Sequence, residues 1–350
     1  MAFEQPPLPP TQPSYVQLSP APPLALCELL EMKGAPARCL RAPLGTRREE
    51  VEGFLLGGLQ PASLARYDRA LVLFSTECAE AGIVFSELSA ERQDWILAEY
   101  IWRCHEEGLP CGGAASAVAA VAKVNPGRKY PTSFRVLERW RTERPPRQAP
   151  AIPPQLAWGM FTVLWGIGRH AEALILLLCF CGLLRVSEGL GLHRASCLVS
   201  YNSVILVLPR TKRGFDERVV LTHNAVIGAT RAYFLLHPVK EGRCFDTSYV
   251  TFSRWLKFAA SWMGFGDLEV TSHSLRRGGA TALLSLGYAF NDVQLYGRWS
   301  SDRSVREYLR RGQTALLRMD PSQPRWRLAD CLGSLCDFVV KMSLKDTDVR

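Results

Sequence analysis

Apolar positions along the chain recur with two different periods, and the changes of period divide it. In Ser63-Leu64-Ala65-Arg66-Tyr67-Asp68-Arg69-Ala70-Leu71-Val72-Leu73-Phe74 they return every three to four residues, as in a helix with one buried face. Residues 87–104 keep that pattern, 108–113 interrupt it, and 114–124 read as a small-residue helix stopped by Asn125-Pro126-Gly127. The run 173–184 is apolar on every side and bracketed by Glu172 and Arg185. It falls short of the ~20 residues of a membrane span, so it predicts a fully buried core helix. The pattern becomes strand-like at 203–208 and 218–221, two apolar runs around the polar turn Thr211-Lys212-Arg213-Gly214-Phe215-Asp216, which predicts a hairpin with a basic tip. Helices resume afterwards, the last at 328–342.

A length of 350 residues suits about two domains at ~150 residues each. With 47% hydrophobic and 21% charged residues, the composition is that of a folded globular protein. Proline density divides the chain further. Residues 1–50 read as a disordered, Pro-rich arm, 51–144 as a helical bundle, 145–154 as an extended linker, 155–322 as a second domain and 323–350 as a tail. Lys+Arg 42 against Asp+Glu 33 gives a net +9, which favours an anionic partner, nucleic acid or an acidic membrane surface. Lys123, Arg128, Lys129 and Arg135 concentrate positive charge near the end of the bundle. The start of the chain has neither the basic nor the apolar part of a secretory signal. The 11 cysteines, lacking paired zinc-ligand spacing, are therefore expected to be buried thiols, with no metal and no cofactor.

Four pieces of the second domain carry polar chemistry, and each has an ordinary structural explanation when taken alone. Arg185-Val186-Ser187-Glu188 fits a helix-start ion pair. Lys212, between Arg210 and Arg213, fits a solvated turn. His273-Ser274-Leu275-Arg276-Arg277-Gly278-Gly279 fits a capped helix whose open N–H groups could also receive a phosphate. In Gly297-Arg298-Trp299-Ser300-Ser301, followed by Tyr308, the tyrosine fits a half-buried packing residue.

Taken together, the order Arg, Lys, His-x-x-Arg, Trp, Tyr, with Trp299 nine residues before Tyr308, resembles the catalytic domain of the tyrosine recombinases, the phage integrase family. The resemblance covers roughly residues 155–315, and the preceding bundle matches the family's core-binding domain in placement and size. Arg277-Gly278-Gly279 stands where many members have a second histidine, a form similar to recombinases of eukaryotic mobile elements. Trp299 stands where many have histidine, and its indole N–H can still donate.

The resemblance implies a mainly α fold with a small β-hairpin or sheet (α+β), an N-terminal helical core-binding bundle and a tyrosine-recombinase catalytic domain. It implies Tyr308 as nucleophile, Arg185, Arg276, His273 and Trp299 around the phosphate, Lys212 as general acid and Glu188 as an orienting carboxylate. Lys123, Arg128, Lys129, Arg135, Arg210, Arg213, Arg277 and Arg298 are the candidate DNA contacts. The implied activity is site-specific recombination or integration through a 3′-phosphotyrosyl intermediate, without ATP or metal. The implied partners are double-stranded DNA and further copies of the chain, a tetramer on two DNA sites, with no membrane. The setting would be intracellular: nuclear in a eukaryote, otherwise cytoplasmic or nucleoid. The alternatives are a type IB topoisomerase-like relaxase and a catalytically silent DNA-binding protein that keeps the fold. The segment 328–342 either covers its own core or docks into a neighbouring protomer.

Overall fold

The computed structural model describes residues 61–145, 149–208, 217–238, 241–302, 305, 306, 309 and 322–348. The described residues form two units, 61–145 and 149–348.

The first unit is helical. Its elements are α1 (Pro61–Glu80), α2 (Ala90–Glu106), α3 (Cys111–Val124) and α4 (Pro131–Glu143). Ser89 caps α2, its Oγ accepting from Arg92 N at 3.3 Å. The first turn of α4 is capped from another helix, because the Asp94 carboxylate of α2 accepts from Thr132 N at 2.8 Å and Ser133 N at 2.9 Å. Phe74, Leu97, Ile101, Val118, Val121, Leu137 and Trp140 close a core of their own. Of the basic residues near its end, Lys129 and Arg135 are exposed, whereas Lys123 and Arg128 are half-buried. Arg128 also donates to Leu88 O at 3.2 Å.

The second unit is built around α5 (Pro154–Gly166) and α6 (His170–Cys181), both buried along almost their whole length. The apolar run of the sequence becomes α6, a helix with neighbours on every side. α7 (Val186–Leu190) follows, then an antiparallel sheet of β1 (Cys197–Val199), β2 (Val204–Val207) and β3 (Arg218–Leu221) in the order β1-β2-β3. The register pairs Leu206 with both Cys197 and Val219, so Val204, Leu206, Val219 and Leu221 all face the core. Strand β1 was not legible as a strand, because three residues are too few to show a period. The hairpin tip, with Arg210, Lys212 and Arg213, lies outside the described residues. α8 (Asn224–Leu236), α9 (Tyr249–Trp262), α10 (Ser272–Ser285) and α11 (Phe290–Tyr296) complete the layers around α6.

Two boundaries differ from the sequence reading. The end of the proline-rich linker belongs to the second unit, since Ala151 and Ile152 are fully buried and Ile152 packs against α10. The unit also continues past 322 through α12 (Pro324–Ser334) and α13 (Cys336–Asp348). These two helices cover their own core. Trp326, Ala329, Cys336 and Val340 join it, Thr162 Oγ1 donates to Leu332 O at 2.9 Å, and Trp165 Nε1 donates to Ser343 Oγ at 3.0 Å. Among the described residues no helix is long and apolar enough to cross a membrane.

Candidate active site

The site forms where the C-terminal end of α6, the start of α7, the start of α10 and the turn after α11 meet. Its centre is one buried carboxylate. Glu188 Oε1 accepts from Arg185 Nη1 at 2.5 Å, while Oε2 accepts from Arg185 N at 2.8 Å and Arg298 Nη2 at 2.9 Å, with Arg276 Nη1 at 3.9 Å. Side-chain exposure is 6% for Glu188, 4% for Arg276, 7% for Arg298 and 32% for Arg185, so Arg185 alone of the three reaches the surface. Burial by itself would raise the Glu188 pKa. The Arg185 backbone N–H, the Arg298 charge and the Arg185 side chain outweigh it and hold the carboxyl below its ordinary value.

Backbone geometry is shaped to the same purpose. Leu183 and Arg298 take left-handed φ of 48° and 57°, the two non-glycine residues with positive φ among those described. Such conformations cost on the order of 1 to 3 kcal/mol and persist only where surroundings fix them. The Leu183 side chain is fixed by packing with Ala280, Val293, Trp299, Val305 and Leu309. Its carbonyl accepts from Arg276 Nη1 at 2.7 Å and Arg298 Nη2 at 3.0 Å. Arg276 Nη2 donates to Gly297 O.

Trp299 stacks on Arg276, with the guanidinium carbon 4.5 Å from the ring centroid. Gly297 permits this, because a Cβ there would overlap the Trp299 ring. The pair Gly278-Gly279 serves the opposite edge. A Cβ on Gly279 would overlap Phe180 O and one on Gly278 would overlap Ile152 O, so α10 lies directly against the end of α6 and the 150s segment.

His273 is exposed at the mouth of the site while Arg276, three residues on, is buried. Partial burial first, then the charges of Arg276, Arg277 and Arg185, hold the His273 pKa below its ordinary value, which favours the neutral ring. Two of the expected DNA contacts, Arg277 and Arg298, lie inside the unit. Arg277 is buried with Nη1 on Ala149 O, and Arg298 is buried on Glu188, so neither presents a guanidinium at the surface. Tyr308 and Lys212 lie outside the described residues. Val305, Arg306 and Leu309 are helical, and Val305 and Leu309 are buried against Leu183 and Trp299. The nearby Tyr296 hydroxyl donates to Cys181 O at 3.0 Å, and burial raises its pKa.

The arrangement therefore brings Arg185, Glu188, His273, Arg276 and Trp299 together from segments far apart in the chain. Sequence reasoning missed the inward role of Arg298 and the part of Glu217, whose Oε2 lies 3.7 Å from Arg298 Nε. No local pattern in either segment signalled these contacts, which join residues far apart in the chain.

Residues 168–314 match the family model of the phage integrase family, the tyrosine recombinases. The Tn1549 transposon integrase, in complex with transposon right end DNA, is similar at 14% identity and a TM-score of 0.55, over 77% of this chain and 98% of that one. The XerH site-specific recombinase bound to difH substrate is similar in both its pre-cleavage and post-cleavage complexes. In each the identity is 14% and the TM-score 0.52, over 74% of this chain and 79% of that one. At these identities the likeness is one of fold. A search of curated protein sequences finds no match.

Proposed function

We propose that this chain is a site-specific DNA recombinase that cuts and rejoins strands through a 3′-phosphotyrosyl intermediate. The observation that carries this reading is the guanidinium cluster around Glu188. Three arginine charges face two carboxylates, Glu188 and Glu217, and the excess is positive at the mouth where Arg185 and His273 reach the surface. A phosphodiester entering there meets a planar fork held in advance by an ion pair, and its nonbridging oxygens gather charge as attack proceeds.

In this reading the Tyr308 oxygen attacks phosphorus and the bond to the 5′ oxygen breaks. His273, held neutral, accepts the phenolic proton, and Lys212 gives a proton to the departing oxygen. The bond energy is kept in the phosphotyrosyl ester, so a second 5′ hydroxyl can reverse the step on a partner strand without ATP. Tyr296 is a poor alternative nucleophile, because its hydroxyl is held on a backbone carbonyl. Val305 and Leu309, on either side of Tyr308 in the sequence, share one buried cluster with Trp299. The unit 61–145, with exposed Lys129 and Arg135, is the second DNA-binding element of the proposal. Exchange between two duplexes needs several active sites, which a tetramer supplies.

The test is a nicked duplex library of randomised sequence incubated with the full chain. Protein-linked DNA is expected, sequencing it defines the cleaved site, and Tyr308→Phe should abolish the adduct. An adduct that survives Tyr308→Phe overturns the assignment. Relaxation of supercoiled plasmid without joined products would select the topoisomerase-like alternative.

A further inference from the structure

Glu217 stands at the root of the β2–β3 hairpin, where Leu208 N donates to Glu217 O at 2.8 Å and closes the last described rung before residues 209–216. Its carboxylate turns toward Arg298. Oε2 lies 3.7 Å from Arg298 Nε, and neither of these buried atoms has a hydrogen-bond partner among the described residues. The rest of the same guanidinium is committed elsewhere. Nη2 is on Glu188 and Leu183 O, and Nη1 is 3.2 Å from Tyr296 O and 3.5 Å from Gly182 O. One rigid fork thus spans three pieces of the site: the hairpin root, the turn that carries Arg185 and Glu188, and the turn that presents Trp299. Tyr296 makes a parallel tie, its hydroxyl lying 3.0 Å from Cys181 O and 3.4 Å from Val220 O of β3. A left-handed φ of 57° suits glycine or asparagine better than arginine, so the side chain must contribute something the backbone does not need.

We propose that Arg298 is a positioning residue that couples the hairpin to the arginine site, with Glu217 pulling on its guanidinium from one side and Glu188 from the other. The inference rests on the strand-transfer reading, in which this hairpin carries the proton donor to the leaving oxygen. At 3.7 Å the Glu217 contact is an ion pair without a hydrogen bond, and closing it by about 1 Å would make it a charge-assisted one. The position of the hairpin root and the orientation of the Glu188–Arg185 pair are then set together, through a planar group that cannot bend between them.

The experiment compares single-turnover cleavage of two duplexes built on the sequence recovered from the randomised library. One has the ordinary 5′ oxygen at the scissile phosphate, and the other a bridging 5′ sulfur. A departing thiolate, with a reference pKa of ~8.5, needs no proton, so the sulfur duplex bypasses the hairpin's proton donor. Glu217→Gln is expected to cleave the oxygen duplex about tenfold more slowly, within the range of one lost charge-assisted contact, and to approach the wild-type rate on sulfur. Arg298→Lys is expected to slow both duplexes, oxygen more, and adding Glu217→Gln to it should not widen the oxygen-to-sulfur ratio further. Cleavage of the sulfur duplex also shows that each variant is folded. Equal slowing of Glu217→Gln on both duplexes, or none on either, overturns the coupling and leaves the strand-transfer reading intact. If the wild type forms no Tyr308-dependent adduct on any duplex, both fall.

Discussion

Replacing Glu188 with glutamine keeps the shape of the side chain and removes the charge on which the site is assembled. One acceptor oxygen becomes an NH2 that faces a guanidinium, and Arg298 and Arg276, with 7% and 4% side-chain exposure, lose a shared counter-charge. The Arg185 contact, short as it is, belongs to a side chain about one-third exposed and is screened by water, so it adds little to the stability term. Removing one partner of a buried ion pair costs about 3 to 5 kcal/mol, because the remaining charge is left uncompensated. For a unit of ~200 residues, where each kcal/mol moves the midpoint by ~2 to 4 °C, Glu188→Gln should melt roughly 10 °C lower.

The pH dependence has a definite sign. The folded carboxyl titrates below its ordinary value of 4.5, so the stability it contributes is fully present above pH 4.5 and is lost as pH falls through the folded value. The gap between wild type and Glu188→Gln should therefore be constant at neutral pH and narrow in acid. Urea unfolding followed by circular dichroism, at pH 7 and at several acid values, measures both. A gap under ~1 kcal/mol at pH 7, or one that widens in acid, would refute the view that Glu188 is the charged keystone of the arginines.

Gly279→Ala should destabilise the second unit by at least ~1 to 3 kcal/mol, because the new methyl overlaps Phe180 O, which is backbone and cannot rotate away. Gly228→Ala on α8, where a Cβ meets nothing within 4 Å, should instead gain up to ~1 kcal/mol of helix propensity, and opposite shifts in urea midpoint check the pair. His273 should titrate below its reference value of 6.5 in imidazole NMR spectra of the free protein, with its contribution to folding complete above that pH and declining as pH falls toward the folded value. A midpoint at or above 6.5 would contradict the placement of its ring beside the arginine charges.

The sequence alone determined the elements whose signal is local. The all-round apolar run could only be a buried helix, two short apolar runs around a polar turn predicted both hairpin strands, and the three-residue spacings Arg185 to Glu188 and His273 to Arg276 marked two helix starts. The tertiary structure decided the rest. Arg298 and Glu188 are 110 residues apart, and nothing within either segment reports that their charges meet, so an arginine beside Trp299 read only as a DNA contact and its ion pair went unseen. The same holds for α12 and α13, whose amphipathic pattern fits any apolar surface, whether its own or a neighbour's. Only the packing of Trp326 and Ala329 into the core, with α13 held by the Trp165–Ser343 hydrogen bond, selects the first. Periodicity records which face of an element is buried, whereas the partner of a buried charge is fixed by the meeting of distant segments, which no local pattern encodes.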